Sequence, residues 1–217
     1  MKDITKIILI RHGESVGNAY RIILGHTDLD LSDHGYLQAK TTAEYLKNEK
    51  IDQIYSSDLM RAYNTALPNA KIRNMDIITD KELREIYVGD WEGTKVTEII
   101  EKWGREVFED EWHGHFGTFT FPGGESIQSG GRRFYNKVME LAQQNIGKTI
   151  LITAHAAVIR AFWTIITETP WENAVNVIPF ATNASFSVCY YDGNRINPDI
   201  YSFDDHLIDV GITKVKV

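Results

Sequence analysis

A single cysteine, Cys189, in 217 residues leaves no partner for an intrachain disulfide, so crosslinks cannot stabilise the chain and a reducing compartment fits best. No run of about 18 to 20 apolar residues occurs, which excludes a membrane-spanning helix. The apolar run at 7–10 is short, has charges on both sides and is followed by no small-residue cleavage site, so a secretory signal is not expected and the cytoplasm is the natural location. Basic charge is also scarce. The 23 Lys and Arg against 30 Asp and Glu give a net charge of -7, which argues against a nucleic-acid surface. Any anion site must be local, a few arginines converging on one pocket. With 43% hydrophobic and 24% charged residues and no repeat, low-complexity tract or linker, one domain over 1–217 is expected.

Residues 6–10 read as a buried strand, a β-branched apolar run ended by Arg11, His12 and Gly13. Ser32 or Asp33 can cap a helix with Tyr36, Ala39, Ala43 and Leu46 on its apolar face. A second strand is predicted at 51–55. Ser57 or Asp58 then caps a helix carrying Arg61 and stopped by Pro68, and a third strand follows at 76–79. Residues 149–153 repeat the opening design, a strand that ends at His155 and feeds an apolar helix over 157–166. Phe186, Val188 and Tyr190 alternate with Ser185, Ser187 and Cys189, which predicts a late strand with one polar face, at or near an edge. Residues 86–125 differ in character. They are rich in Gly, Trp and Phe, and they predict a lid-like excursion with one helix that turns Val96, Ile99, Ile100, Trp103 and Val107 inward. Alternating strands and helices imply an α/β fold, a three-layer α/β/α sandwich with a mostly parallel central sheet, whose ligands bind beyond the carboxyl ends of the strands.

Arg11-His12-Gly13-Glu14-Ser15, with Asn18, stands at such an end. A histidine beside an arginine, with glycine allowing close backbone approach, suits attack on phosphorus, and nearby cations favour the neutral imidazole that attack requires. The bland alternative is a capped strand end. Ser57-Asp58-Leu59-Met60-Arg61-Ala62 places a second arginine in the first turn of a helix, where orphan N–H groups and the dipole suit an anion; otherwise Arg61 is merely solvated. Leu83-Arg84-Glu85 precedes Gly89-Asp90-Trp91-Glu92-Gly93, and Thr153-Ala154-His155-Ala156 completes the set.

In this order, with Asp28-Leu29-Asp30-Leu31-Ser32, Gly124-Glu125-Ser126, Val158-Ile159-Arg160 and Asp205-His206-Leu207, the motifs resemble the histidine phosphatase superfamily over nearly the whole chain, in the phosphoglycerate mutase-like branch. The resemblance implies that His12 is phosphorylated, that Arg11, Arg61 and His155 surround the phosphoryl group, and that Glu85 is the proton donor. It also implies Asn18, Glu14 and the backbone of Ala156 as phosphate- or substrate-binding positions, and no metal. Phosphoryl transfer needs positioning and charge stabilisation, which arginine forks supply. One departure is Ala156, where the family has glycine; alanine serves unless the position needs positive φ.

Other features are discounted. His113 and His115 lack convincing partners for a metal and fit a substrate-facing role. Asn183-Ala184-Ser185 matches a glycosylation sequon that a cytoplasmic chain would not use, at a position where the family places a structural asparagine. Arg132 and Arg133 read as solvated, and Arg160 as an ion-pair partner. The expected activity is metal-independent hydrolysis of a small phosphorylated metabolite. The alternative is a phosphoglycerate mutase, which alone would need 2,3-bisphosphoglycerate for priming; an aromatic rather than basic excursion favours the phosphatase. A homodimer stays open.

Overall fold

A computed structural model describes residues 3–109, 115 and 117–213. The chain runs β1 (Thr5–Arg11), α1 (Val16–Ala19), β2 (Ile22–Ile23), α2 (Asp33–Tyr45), β3 (Gln53–Ser56), α3 (Met60–Arg73) and β4 (Ile77–Thr79). Next come β5 (Thr94–Lys95), α4 (Val96–Trp103), α5 (Ile127–Gln144), β6 (Thr149–Ala154), α6 (Ala156–Ile166), α7 (Ala174–Val177), β7 (Phe186–Tyr191) and β8 (Ile196–Phe203). Six strands form one sheet in the order β4-β3-β6-β1-β7-β8, with β2 and β5 pairing separately. The four strands from β4 to β1 run parallel; β7 is antiparallel to β1, and β8 to β7.

Successive side chains of a strand point to opposite faces, and β1 divides its apolar run accordingly. Ile7 and Leu9 join the larger core with α5 and α6, whereas Ile8 and Ile10 join the smaller one with Ala66 and Ala70 of α3. Helices therefore cover both faces, giving the expected three-layer α/β/α sandwich. Helix α6 is buried from Ala156 to Thr164 without a polar stripe, as an all-round apolar helix must be. Of the described aromatics of the 86–125 stretch, Trp91, Phe108, Phe119 and Phe121 belong to the larger core, Trp103 packs against it, and Tyr87 is exposed.

Several local expectations are corrected. Tyr36 is 42% exposed and its hydroxyl donates to Asp30, while Gly35, Gln38 and Thr42 share the buried face of α2 with Ala39 and Ala43. Pro68 does not stop α3. Its fixed φ suits a helix, it forfeits one internal bond, and Ala66 and Ala70 on either side are held in the core, so the helix continues to Arg73 and ends at Asn74 in the left-handed region. Neither Ser57 nor Asp58 is its N-cap. Leu59 is, and Asp28 caps from a distance by accepting the Met60 N–H at 2.7 Å, which leaves Asp58 to bind Arg84 through two 2.6 Å bonds. The serines of the late strand segment are buried too, because β8, absent from the sequence reading, covers that edge and its Ser202 N–H donates to Ser187.

Two glycines set how tightly the loop after β1 packs. A Cβ on Gly13 would lie 2.5 Å from the Gly35 carbonyl oxygen, and one on Gly35 would lie 1.9 Å from that of Glu14. Backbone cannot yield as a side-chain tip can, so Gly35→Ala should lower stability by about 2 kcal/mol or more, measured by denaturant unfolding. An unchanged unfolding midpoint would show that the loop adapts.

Candidate active site

The parallel register of β1 and β6, with Arg11 opposite Ala154, brings His12 and His155 out side by side. Their ring centroids are 5.2 Å apart at an interplanar angle of 61°. His12 is locked at both ends of its backbone: its N–H donates to Ala154 at 2.9 Å, and its carbonyl accepts from the Asn183 side chain at 3.0 Å. Its Nδ1 lies 2.7 Å from the Gly13 carbonyl oxygen. A carbonyl only accepts, so Nδ1 carries the hydrogen and the Nε2 lone pair is free. Burial first, then Arg61 and Arg11, hold the His12 imidazole well below its usual range, and burial with Arg61 does the same for His155.

Arg61 is not solvated. It is 1% exposed, in the first turn of α3, and donates to the carbonyls of Gly25 at 2.7 Å and Thr27 at 2.9 Å. The carboxylate of Glu92 fixes those carbonyls by accepting the N–H groups of His26 and Thr27 and the Thr27 hydroxyl at 2.6 to 2.7 Å. Gly25 adopts φ 49° there, and a Cβ would lie 2.1 Å from Glu92 Oε1. Arg11, 2% exposed, donates to the Ala181 carbonyl at 2.5 Å. Burial lowers both guanidinium pKa values to about 10, against the opposing pull of Glu85. Among the described residues no carboxylate forms an ion pair with either one. Four buried nitrogens, Nε of Arg11, Nε of Arg61 and both ring nitrogens of His155, have no hydrogen-bond partner. Buried polar atoms are normally satisfied, and a tetrahedral oxyanion would bring the acceptors this cluster needs.

Glu85 lines the same cavity. Its Oε1 accepts the N–H groups of Ile86 and Val158, and its Oε2 that of Ala157, all at 3.0 Å, which seats the carboxylate on the positive end of α6. Its carbonyl accepts from His26 at 2.8 Å and Arg133 at 3.0 Å. Arg133, read from sequence as solvated, also donates to the carbonyls of Glu82 and Arg84 and pairs with Glu125, so it pins the segment that carries Glu85. Glu125, eight positions before it, was the only sequence signal for this role.

The remaining expectations divide. Asn18 lines the same cavity as Arg11, His12, Arg61, Glu85 and Ala156. Its Oδ1 already accepts from Ser15 at 3.1 Å and Asn183 at 3.2 Å, so only its Nδ2 can serve a ligand. Ala156 opens α6 outside the positive-φ region, so alanine replaces glycine there without strain. Glu14 is a correction: its carboxylate accepts from Ser32 at 2.8 Å and Thr213 at 3.1 Å, lies 3.6 Å from His34 Nδ1, and does not line the cavity. Arg160 stacks 4.5 Å from the centre of the Phe180 ring and donates to the Ala174 carbonyl. His113 lies outside the described residues, and among those described no cluster of three metal-ligating side chains occurs.

Two histidines and two buried guanidiniums without carboxylate partners gather at the carboxyl ends of adjacent parallel strands of an α/β fold, an arrangement whose charge suits an anion. A family model for the histidine phosphatase superfamily (branch 1) matches residues 7–202. Phosphoserine phosphatase 1 of Hydrogenobacter thermophilus is 33% identical over 194 residues, 88% of each chain. Two Arabidopsis thaliana proteins are each 32% identical over 96% of this chain: phosphoglycerate mutase-like protein 4, covered to 90%, and a metal-independent phosphoserine phosphatase, covered to 86%. The structure of mycobacterial glucosyl-3-phosphoglycerate phosphatase superposes with a TM-score of 0.82 at 27% identity, over 92% of this chain and 99% of the other. The chain belongs to the histidine phosphatase superfamily.

The depressed histidines carry a pH signature. A histidine kept neutral by the fold gains its proton more readily when unfolded, so stability is fully present above the unfolded pKa of about 6.5 and is lost as pH falls toward the folded value. Unfolding free energy of the ligand-free protein should therefore decline below about pH 6.5, by up to about 1.4 kcal/mol per pH unit for each histidine. His155→Asn should flatten the decline. A profile unaltered by that change would remove His155 as its source.

Proposed function

We propose that this chain is a metal-independent phosphomonoester phosphatase that passes the phosphoryl group through His12. One observation carries the reading: the His12 Nε2 lone pair is free, because Nδ1–H is committed to Gly13, in a cavity with two buried guanidiniums that lack carboxylate partners. The names of the phosphoserine phosphatases and of the mycobacterial phosphatase support hydrolysis, and the metal-independent relative supports chemistry without a metal.

In this reading Arg11, Arg61 and His155 hold the phosphate oxygens, helped by Asn18 Nδ2 and the Ala156 N–H. His12 Nε2 attacks phosphorus, the bond from phosphorus to the ester oxygen breaks, and Glu85 gives its proton to the departing alkoxide. Water then attacks phospho-His12, the P–N bond breaks, and Glu85 takes the water's proton, which restores the starting state and releases inorganic phosphate. The mutase alternative is less supported, because a bisphosphoglycerate brings a second phosphate and a carboxylate, and the described cavity lining holds no lysine and no third arginine. Among the described residues no helix is long and apolar enough to cross a membrane.

Phosphate release from p-nitrophenyl phosphate and 3-phosphoglycerate in EDTA, beside a mutase assay primed with 2,3-bisphosphoglycerate, tests the assignment. Efficient isomerisation with negligible release would overturn it. His12→Ala should lose more than about 10³-fold in kcat. Glu85→Gln should lose about 10² to 10⁴-fold on an alkyl phosphate and far less on p-nitrophenyl phosphate, whose phenolate leaves without a proton. Equal losses on the two substrates would remove Glu85 as the proton donor.

A further inference from the structure

Most of the described cavity lining is apolar. Arg11, His12, Asn18, Arg61 and Glu85 are its charged and polar lining among the described residues; the rest of the wall is apolar, including Ile22, Ile23, Ile86, Val88, Phe121 and Phe180. That wall is built in. Ile22 and Ile23 are strand residues paired with Lys95 and Thr94. Phe121 is buried edge-on against Trp91, with ring centroids 5.4 Å apart, and against Phe119 at 5.0 Å. Phe180 carries the Arg160 guanidinium on its ring at 4.5 Å, and Arg160 itself is not part of the lining.

An anionic group on the alcohol half of a substrate would therefore meet, among the described lining, hydrocarbon and no cation beyond the two arginines that serve the phosphate. Both lining arginines are already anchored by backbone carbonyls at the phosphate end. A polar group desolvated without a partner is penalised, whereas an apolar group gains from the same wall. We propose that the physiological substrate is a phosphate monoester of an uncharged, apolar alcohol, not of an amino acid or a hydroxy acid. The inference rests on the phosphatase reading, and it departs from the charged substrates named for the relatives.

Benzyl phosphate, O-phosphoserine and 3-phosphoglycerate are all primary alkyl esters, so leaving-group basicity does not decide among them. Phosphate release from each, with p-nitrophenyl phosphate as the activity control, gives kcat/KM. Benzyl phosphate should exceed both charged esters by about 10²-fold. Ile22→Lys should narrow that ratio at least about tenfold by supplying a cation for the carboxylate. Calorimetric binding of benzylphosphonate against the phosphonate isostere of phosphoserine gives a readout independent of turnover, and the same order is expected. Equal or better use of a charged ester, with p-nitrophenyl phosphate hydrolysed, would overturn this proposal and leave the phosphatase standing. No phosphate release from any ester would overturn the phosphatase reading, and tighter benzylphosphonate binding would then still support the apolar chamber. Equal binding of the two phosphonates would overturn it.

Discussion

Arg11 and Arg61 are almost wholly buried, and no carboxylate among the described residues pairs with either. Removing a cation from water is costly unless something else stabilises it, so the surroundings of these two side chains are constrained throughout. Backbone carbonyls of Gly25, Thr27 and Ala181 supply partial negative charge without neutralising the pocket. Glu92 fixes the loop that presents two of those carbonyls, and a glycine at position 25 lets the loop approach that closely. Glu14 is held away by Ser32, Thr213 and His34. Burial first, and then the same field, hold His12 and His155 well below the usual imidazole range, and the neutral form is the one a nitrogen nucleophile requires.

How much of this was legible depended on whether the signal was local. β1 and β6 were plain because a short β-branched run bounded by charge is unambiguous, and each ends at its histidine. Parallel pairing in register then brings the two histidines together, a step that the alternating strand and helix pattern implies. Arg61 was legible as a candidate from its place in a first turn, but its burial depends on carbonyls some 35 positions away and could not be read from its neighbours. Arg133 was misread for the same reason. Three of its partners are main-chain carbonyls of residues 82, 84 and 85, and carbonyls leave no mark in a sequence. Pro68 failed the other way: a local rule for helix termination was overridden by packing on the sheet.

The apolar wall was the least legible feature. Ile22, Val88, Phe121 and Phe180 come from segments far apart in the chain, and each taken alone is an ordinary core residue. They become a wall because β2 and β5 pair across the excursion and Trp91 gathers Phe119 and Phe121 around its indole. The excursion thus contributes to the core and to the cavity through the same aromatic cluster.

This division of the cavity bears on the fate of a phosphohistidine. A second anionic group on the substrate would keep the alcohol product in place after transfer, ready to take the phosphoryl group back, which is what an isomerase requires. An apolar alcohol held only by hydrocarbon contacts is free to leave once its bond to phosphorus breaks, and water can then enter beside Glu85. In the proposed mechanism Glu85, whose carboxylate is held by the first turn of α6, takes the water's proton there. In the proposed reading the apolar wall thus links two choices, hydrolysis over return and an uncharged alcohol over a charged one.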